Sequence, residues 1–179
     1  MKEVRGREID GSSSSVGLLV SILVRYPEIC TVSYVPDARS LEFSFMVARA
    51  LKPEEFEDFR TRALSSISVY LHLLRLEQAP VAKIAACYID GITQIQMTRD
   101  VSTLTGEEIS LLIGLVLEAF GEDLIKDRSD ALEEEEMEVQ EEFIENLLAD
   151  LKETMQEKKL IGYREEGRVV VFNRPLGSS

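Results

Sequence analysis

The chain has only one histidine, His72, among its 179 residues. A catalytic triad needs a histidine beside a nucleophile and an orienting carboxylate, and no readable motif places either next to His72. One histidine also supplies at most one ligand of a histidine-rich metal site. His72 is expected on a helix surface or interface. Cysteine is nearly as scarce. Cys30 and Cys87 stand alone, without CxxC spacing or a neighbouring histidine, which excludes a disulfide framework and a zinc motif. Both are expected in strands as small buried hydrophobes. The GxGxxG, Walker A, GxSxG and HExxH patterns are missing, as is the interleaving of aromatic and basic residues that marks RNA-binding sheets. The sequence therefore names no catalytic residue, no cofactor and no metal.

Long apolar runs are missing too. No stretch approaches the roughly 18 residues of a transmembrane helix. Residues 1–17 carry charges and a serine run but no apolar core before a cleavage site, so no secretory signal is expected. A cytoplasmic location follows by default. Positive charge is in short supply, with 20 Lys and Arg against 33 Asp and Glu, a net of −13 and a pI near 4.6. Nucleic acid and anionic membranes are accordingly poor partners. The imbalance is local. Residues 127–157 hold 13 acidic and 2 basic residues, and residues 158–179 hold 5 basic and 2 acidic.

What the chain does have is an ordinary apolar fraction of 45% and clear periodicity. Its organising stretch is residues 53–78. Pro53 suits a first helical position, and Glu54, Glu55, Glu57 and Asp58 favour the positive end of a helix. Phe56, Phe59, Ala63, Ile67, Tyr70, Leu71 and Leu74 form one apolar stripe. Ser65, Val69, Leu73 and Leu76 form a second, roughly opposite. Pro80 is expected to stop the helix. A helix apolar on two sides calls for cover on both.

Around this helix the spacing predicts a buried helix over 16–26, a strand over 29–35, a Pro36-Asp37 turn and a strand over 41–48. In that last strand Leu41, Phe43, Phe45 and Val47 face the core; core is the reading for Phe43 and Phe45, rather than a stacking platform. A second hairpin over 81–97 turns at Asp90-Gly91, a type I′ signal. That turn pairs Tyr88 with Thr93, Ala86 with Ile95 and Ile84 with Met97. It leaves Lys83, Ala85, Cys87, Gln94 and Gln96 on a small, polar face. Thr105-Gly106-Glu107-Glu108 is a capping box, with a helix to Phe120 and Gly121 as its C′ residue.

The order is an αββ unit used twice plus a closing helix. The expected fold is α+β, a four-stranded antiparallel sheet with helices on one face. The order resembles a circularly permuted ferredoxin-like domain, which implies an architecture but no activity. Residues 1–15 read as a flexible segment, 16–125 as the α+β domain, and 126–179 as an appendage of acidic helix and small hairpin. The helix is expected from a Ser129 cap to about residue 157, with an apolar stripe of Phe143, Ile144, Leu147, Leu148, Leu151 and Met155.

Three clusters invite chemistry and have plainer readings. Glu134, Glu138, Glu141 and Glu145 recur at helical spacing, but without a histidine a solvated acidic face is the simpler reading. Arg60 and Arg62, with Arg39, Arg49 and Lys52 nearby, suit structural ion pairs better than an anion site. The two-sided helix and the half-apolar acidic helix point to protein–protein contact. The expected function is self-association as a homo-oligomer, with Val69, Leu73, Leu76, Phe143, Leu147 and Leu151 as the interaction residues. The alternatives are an enzyme with a cleft between sheet and appendage, and an acidic regulator of a basic partner protein.

Overall fold

A computed structural model describes residues 13–127, 132–154 and 158–174. Most of the 1–15 segment, the Ser129 cap and Met155 lie outside them. The chain order is α1 (Ser13–Arg25), β1 (Thr31–Val35), β2 (Ser40–Val47), α2 (Pro53–Leu73), β3 (Ala82–Ile89), β4 (Ile92–Asp100), α3 (Gly106–Phe120), β5 (Leu124–Ile125), α4 (Glu134–Glu153), β6 (Lys159–Glu165) and β7 (Arg168–Arg174). The fold is α+β, and its sheet is antiparallel throughout.

The sheet is larger than the four strands expected. It has seven, in the order β3-β4-β2-β1-β6-β7, with β5 pairing to the end of β2. The extra strands come from residues read as linker and appendage. Leu124 pairs with Val47 and is buried, so the polar stretch after Gly121 contributes a short strand. The last hairpin joins the sheet edge at β1, with Thr31 opposite Tyr163 and Tyr34 opposite Leu160. A two-stranded hairpin is marginal alone, and edge addition gives its backbone groups partners.

The second hairpin keeps the register its turn dictates: Tyr88 opposite Thr93, Ala86 opposite Ile95, Ile84 opposite Met97. Asp90 and Gly91 both take positive φ, 48° and 79°, as a type I′ turn requires. The last hairpin repeats the device at Glu166 (φ 51°) and Gly167 (φ 76°). The register stacks Val32, Phe43 and Met97 along one row and Tyr34 and Leu41 along the next, all buried. The opposite face carries Lys83, Ala85, Cys87 and Gln96, all exposed. Cys87 is therefore not a buried hydrophobe, because its strand is the sheet edge and its side chain faces away from the helices. Cys30 precedes β1 and is half-buried; both thiols are free.

Helix α1 packs on β1, β6 and β7, and its other large contact is α4. At Gly162 in β6 the helix comes so close that a Cβ would lie 3.0 Å from Leu23 Cδ1. Arg164, two residues on, donates to the carbonyls of Leu23, Tyr26 and Ile29, the last two beyond the helix, and so caps the end of α1. Burial lowers the Arg164 guanidinium from its ordinary value, with the Asp127 carboxylate at 3.7 Å working the other way. Ile144, Leu148 and Leu151 of α4 are buried in the same core as Leu160, Val169 and Val171.

Helix α2 ends at Leu73, earlier than residue 78 and seven residues short of Pro80. The stop is a Schellman motif. The Leu76 amide donates to the Leu71 carbonyl at 2.9 Å and the Arg75 amide to the His72 carbonyl at 3.0 Å. Arg75 occupies the left-handed position, φ 60°, that glycine usually fills. At the end of α3, Gly121 is right-handed (φ −49°), so it does not act as the left-handed C′ residue expected of it.

Candidate interaction surface and cleft

Helix α2 buries Phe59, Ala63, Ile67 and Leu71. Its other side stays largely open to solvent among the described residues. Val69 is 59% exposed and Leu73 74% exposed. Leu76 is 42% exposed and lies beyond the helix, in the Schellman motif, so the second stripe is shorter than its spacing suggested. A shallow apolar groove of about 460 Å³ runs beside Val69 and Leu73, bounded by Arg62, Ser65, Ser66, Tyr70 and, from α3, Leu111. Helices α2 and α3 run antiparallel here. Phe59 meets Phe120 with ring centroids 4.9 Å apart, and the Tyr70 hydroxyl lies 2.8 Å from Thr105 Oγ1 at the other end.

The other three interaction candidates sit on α4. Leu151 is buried against the chain's own core, and Leu147 is half-buried, facing Gly17 of α1. Phe143 is 51% exposed, beside Val139 at 49%. Only Phe143 of these three lies on an open surface.

Between the end of α2, the start of α3 and α4 lies a cleft of about 500 Å³. Tyr26, Tyr70, Leu74 and Ile144 give it apolar walls, and Glu107, Glu141, Glu142 and Glu145 give it carboxylates. Burial pushes both tyrosine hydroxyls above their ordinary value. Several of these groups already have structural work. Glu141 accepts both Nε and Nη2 of Arg25 on one oxygen, at 3.0 and 2.8 Å, and that guanidinium lies 4.6 Å from the Tyr26 ring. Glu145 packs so tightly on Gly106 that a Cβ there would come within 2.5 Å of its carboxylate oxygen. Among the described residues no group of acidic, histidine or cysteine side chains, Glu134, Glu138, Glu141 and Glu145 included, is arranged to hold a metal. His72 is exposed and lies outside the cleft.

Arg39, Arg49 and Arg60 make ion pairs or backbone contacts rather than one anion site, and Arg62 is exposed, with no ion pair among the described residues. Arg49 bridges Glu55 and Asp123, joining the β2–α2 loop to the start of α2 and to the turn before β5. Its hydrogen bonds hold the Glu55 carboxyl below the ordinary value. Arg60 reaches the Ile84 carbonyl at 3.2 Å and Glu57 at 3.1 Å, and Arg39 reaches the Lys152 carbonyl at 3.2 Å.

Sequence reasoning missed the most buried polar constellation. Arg99, Asp100 and Glu108 are 1%, 3% and 0% exposed. Arg99 holds both oxygens of Glu108, at 2.6 and 2.7 Å, and also bonds Asp100, Thr103 and the Val81 carbonyl. Asp100 accepts from Ser102, from Thr103 twice and from the Val81 amide. Burial pushes the Asp100 carboxyl up; the Thr103 and Ser102 hydrogen bonds and the Arg99 charge outweigh it, and the net position is below the ordinary value. No buried side-chain polar atom among the described residues lacks a partner, so the cluster pins β3, β4 and α3 together rather than waiting for a ligand. The signal available was Arg99 at a core-facing position of an alternating strand, with Glu108 at the third position of the capping box.

Comparison of the chain with protein-family models, with curated proteins and with solved structures finds no match.

Proposed function

We propose that the chain works as a self-associating protein-interaction domain, with the outer face of α2 as the contact. The observation that carries this reading is the exposure of Val69 and Leu73 beside an apolar groove on the α2–α3 pair. Contiguous exposed apolar surface on a folded chain marks a contact site more often than a lone exposed leucine does. In a chain of net charge −13, this groove contains no carboxylate. Like-charge repulsion between two copies is therefore least there.

The order β3-β4-β2-β1 agrees with a permuted ferredoxin-like arrangement of the two αββ units, to which α4 and the last hairpin add an edge. That arrangement implies no chemistry of its own. The cleft beside Tyr26 and Tyr70 offers carboxylates and tyrosine hydroxyls, but the hydroxyls are pushed away from neutral pH and Glu141 is held by Arg25.

A second reading has its own observation. The exposed carboxylates of α4, among them Glu134, Glu135, Glu138 and Glu142, surround exposed Val139 and Phe143. That face suits a basic partner protein. The two readings separate by mutation and salt. Leu73→Asp abolishes association through α2 and leaves the circular-dichroism spectrum unchanged. Binding through α4 instead survives Leu73→Asp and weakens steeply with ionic strength. If the wild type and Leu73→Asp have the same mass at every concentration, the α2 reading is wrong.

A further inference from the structure

Self-association through the outer face of α2 leaves the cleft between the end of α2, the start of α3 and α4 without a role. Its volume, about 500 Å³, lies in the range of small-molecule sites. Two kinds of surface meet in it. Tyr26, Tyr70, Leu74 and Ile144 supply apolar walls. Glu107 in the first turn of α3, and Glu142 and Glu145 of α4, bring carboxylates from two helices. Among the described residues these three make no ion pair, and no lysine or arginine lines the cleft. On a bare helix face such carboxylates would simply be solvated. Beside apolar and aromatic walls they suit an organic cation, whose hydrocarbon part gains from the walls as its charge gains from the carboxylates. The chain already holds one organic cation on this lining. The Arg25 guanidinium lies 4.6 Å from the Tyr26 ring centroid and donates twice to Glu141 Oε1, at 3.0 and 2.8 Å, and Tyr26 and Glu141 both line the cleft. The positive end of α3 does not compete for an anion, because Glu107 and Glu108 lie in its first turn and Glu145 packs on Gly106.

We infer that this cleft binds an aliphatic di- or polyamine. Its ammonium groups pair with Glu107 of α3 and with Glu142 and Glu145 of α4, and its methylenes lie against the tyrosine rings, Leu74 and Ile144. The carboxylates come from two helices, so a ligand with more than one cationic group engages both, whereas a single ammonium engages one. All three carboxylates are exposed, so each contact is weak alone and the affinity comes from several made together. A bare metal ion is a poorer fit, since it gains nothing from the apolar walls and the carboxylates are not arranged to ligate one. Binding of this kind needs no reactive group, and it stands independently of contact through α2.

The test is equilibrium dialysis of the full chain against labelled spermidine, at about 0.15 M salt so that loose attraction to the acidic surface is screened. The expected result is one saturable site. Glu107→Gln/Glu142→Gln weakens it about tenfold or more, while Glu135→Gln/Glu138→Gln, which removes two charges of α4 outside the cleft, leaves it within about twofold. n-Butylamine, with a single ammonium, competes about tenfold more weakly than unlabelled spermidine. Circular dichroism checks that each variant is folded. Absence of a saturable site overturns the assignment, and so does equal weakening by the two double variants, which would mean that the amine reads the charge of α4 as a whole. Competition by magnesium or n-butylamine as strong as by spermidine overturns it too. A blocked dilysine peptide that binds more tightly than spermidine would overturn the free amine in favour of a partner protein's lysines.

Discussion

Arg99 shows how much can turn on one residue. It is a cation buried in the core and satisfied by two carboxylates, a hydroxyl and a carbonyl. Replacing the whole group with apolar side chains could be neutral, but removing one partner leaves the others buried and unpaired. Arg99→Ala is expected to cost about 3–5 kcal/mol in urea unfolding, far more than Arg60→Ala at a part-exposed pair. Asp100 adds a pH dependence. Its folded-state value lies below the ordinary carboxyl value, so its contribution is complete above an unfolded value of about 3.9. That contribution is lost as pH falls from there through the folded value. Asp100→Asn is expected to lower stability at pH 7 and to flatten the fall in unfolding free energy below pH 4. An unchanged acid limb would contradict that assignment. The residues could be read as types but not as partners: the alternation of β4 turns Arg99 inward, but nothing local says that it meets Glu108, a contact that forms only in the folded chain.

At the scale of elements, the strongest local rules survive tertiary context. The Asp90-Gly91 turn fixes the β3–β4 register, and Thr105 caps α3 by accepting from the Glu108 amide at 3.1 Å. Ends set by competition between local signals are harder. Residues 74–78 continue the apolar pattern of α2, yet the backbone reverses at Arg75 and folds Leu76 back towards Leu71. A proline further on does not define a helix end when a Schellman motif closes first. A non-glycine residue in the left-handed region costs roughly 1–2 kcal/mol, partly offset by glycine's greater unfolded-state freedom. Arg75→Gly is therefore expected to raise stability by about 0.5–1 kcal/mol, read as a higher urea midpoint at unchanged slope. A lower midpoint would mean that the arginine side chain has a role at the helix end that outweighs its backbone cost.

At the scale of the molecule, the α+β class was legible because periods of two and of about 3.6 alternate cleanly along the chain. The size of the sheet was not. The β6–β7 hairpin looks self-contained in sequence, and its docking on β1 depends on Arg164 reaching the end of α1 from 135 to 141 residues away. The destination of the α4 stripe was equally non-local. Ile144, Leu148 and Leu151 are consumed by the chain's own core, whereas Val69 and Leu73 of α2 stay exposed among the described residues. Two negatively charged copies meeting through a groove that contains no carboxylate should associate at least as well when moderate salt screens their long-range repulsion. The most direct measurement is the molar mass of the wild type by light scattering after size exclusion, from low to tens of micromolar, beside a Val69→Asp/Leu73→Asp variant. The expected result is a wild-type mass rising to twice 20.2 kDa, with the variant folded and fixed at 20.2 kDa. A folded wild type that stays at 20.2 kDa across that range would contradict the account.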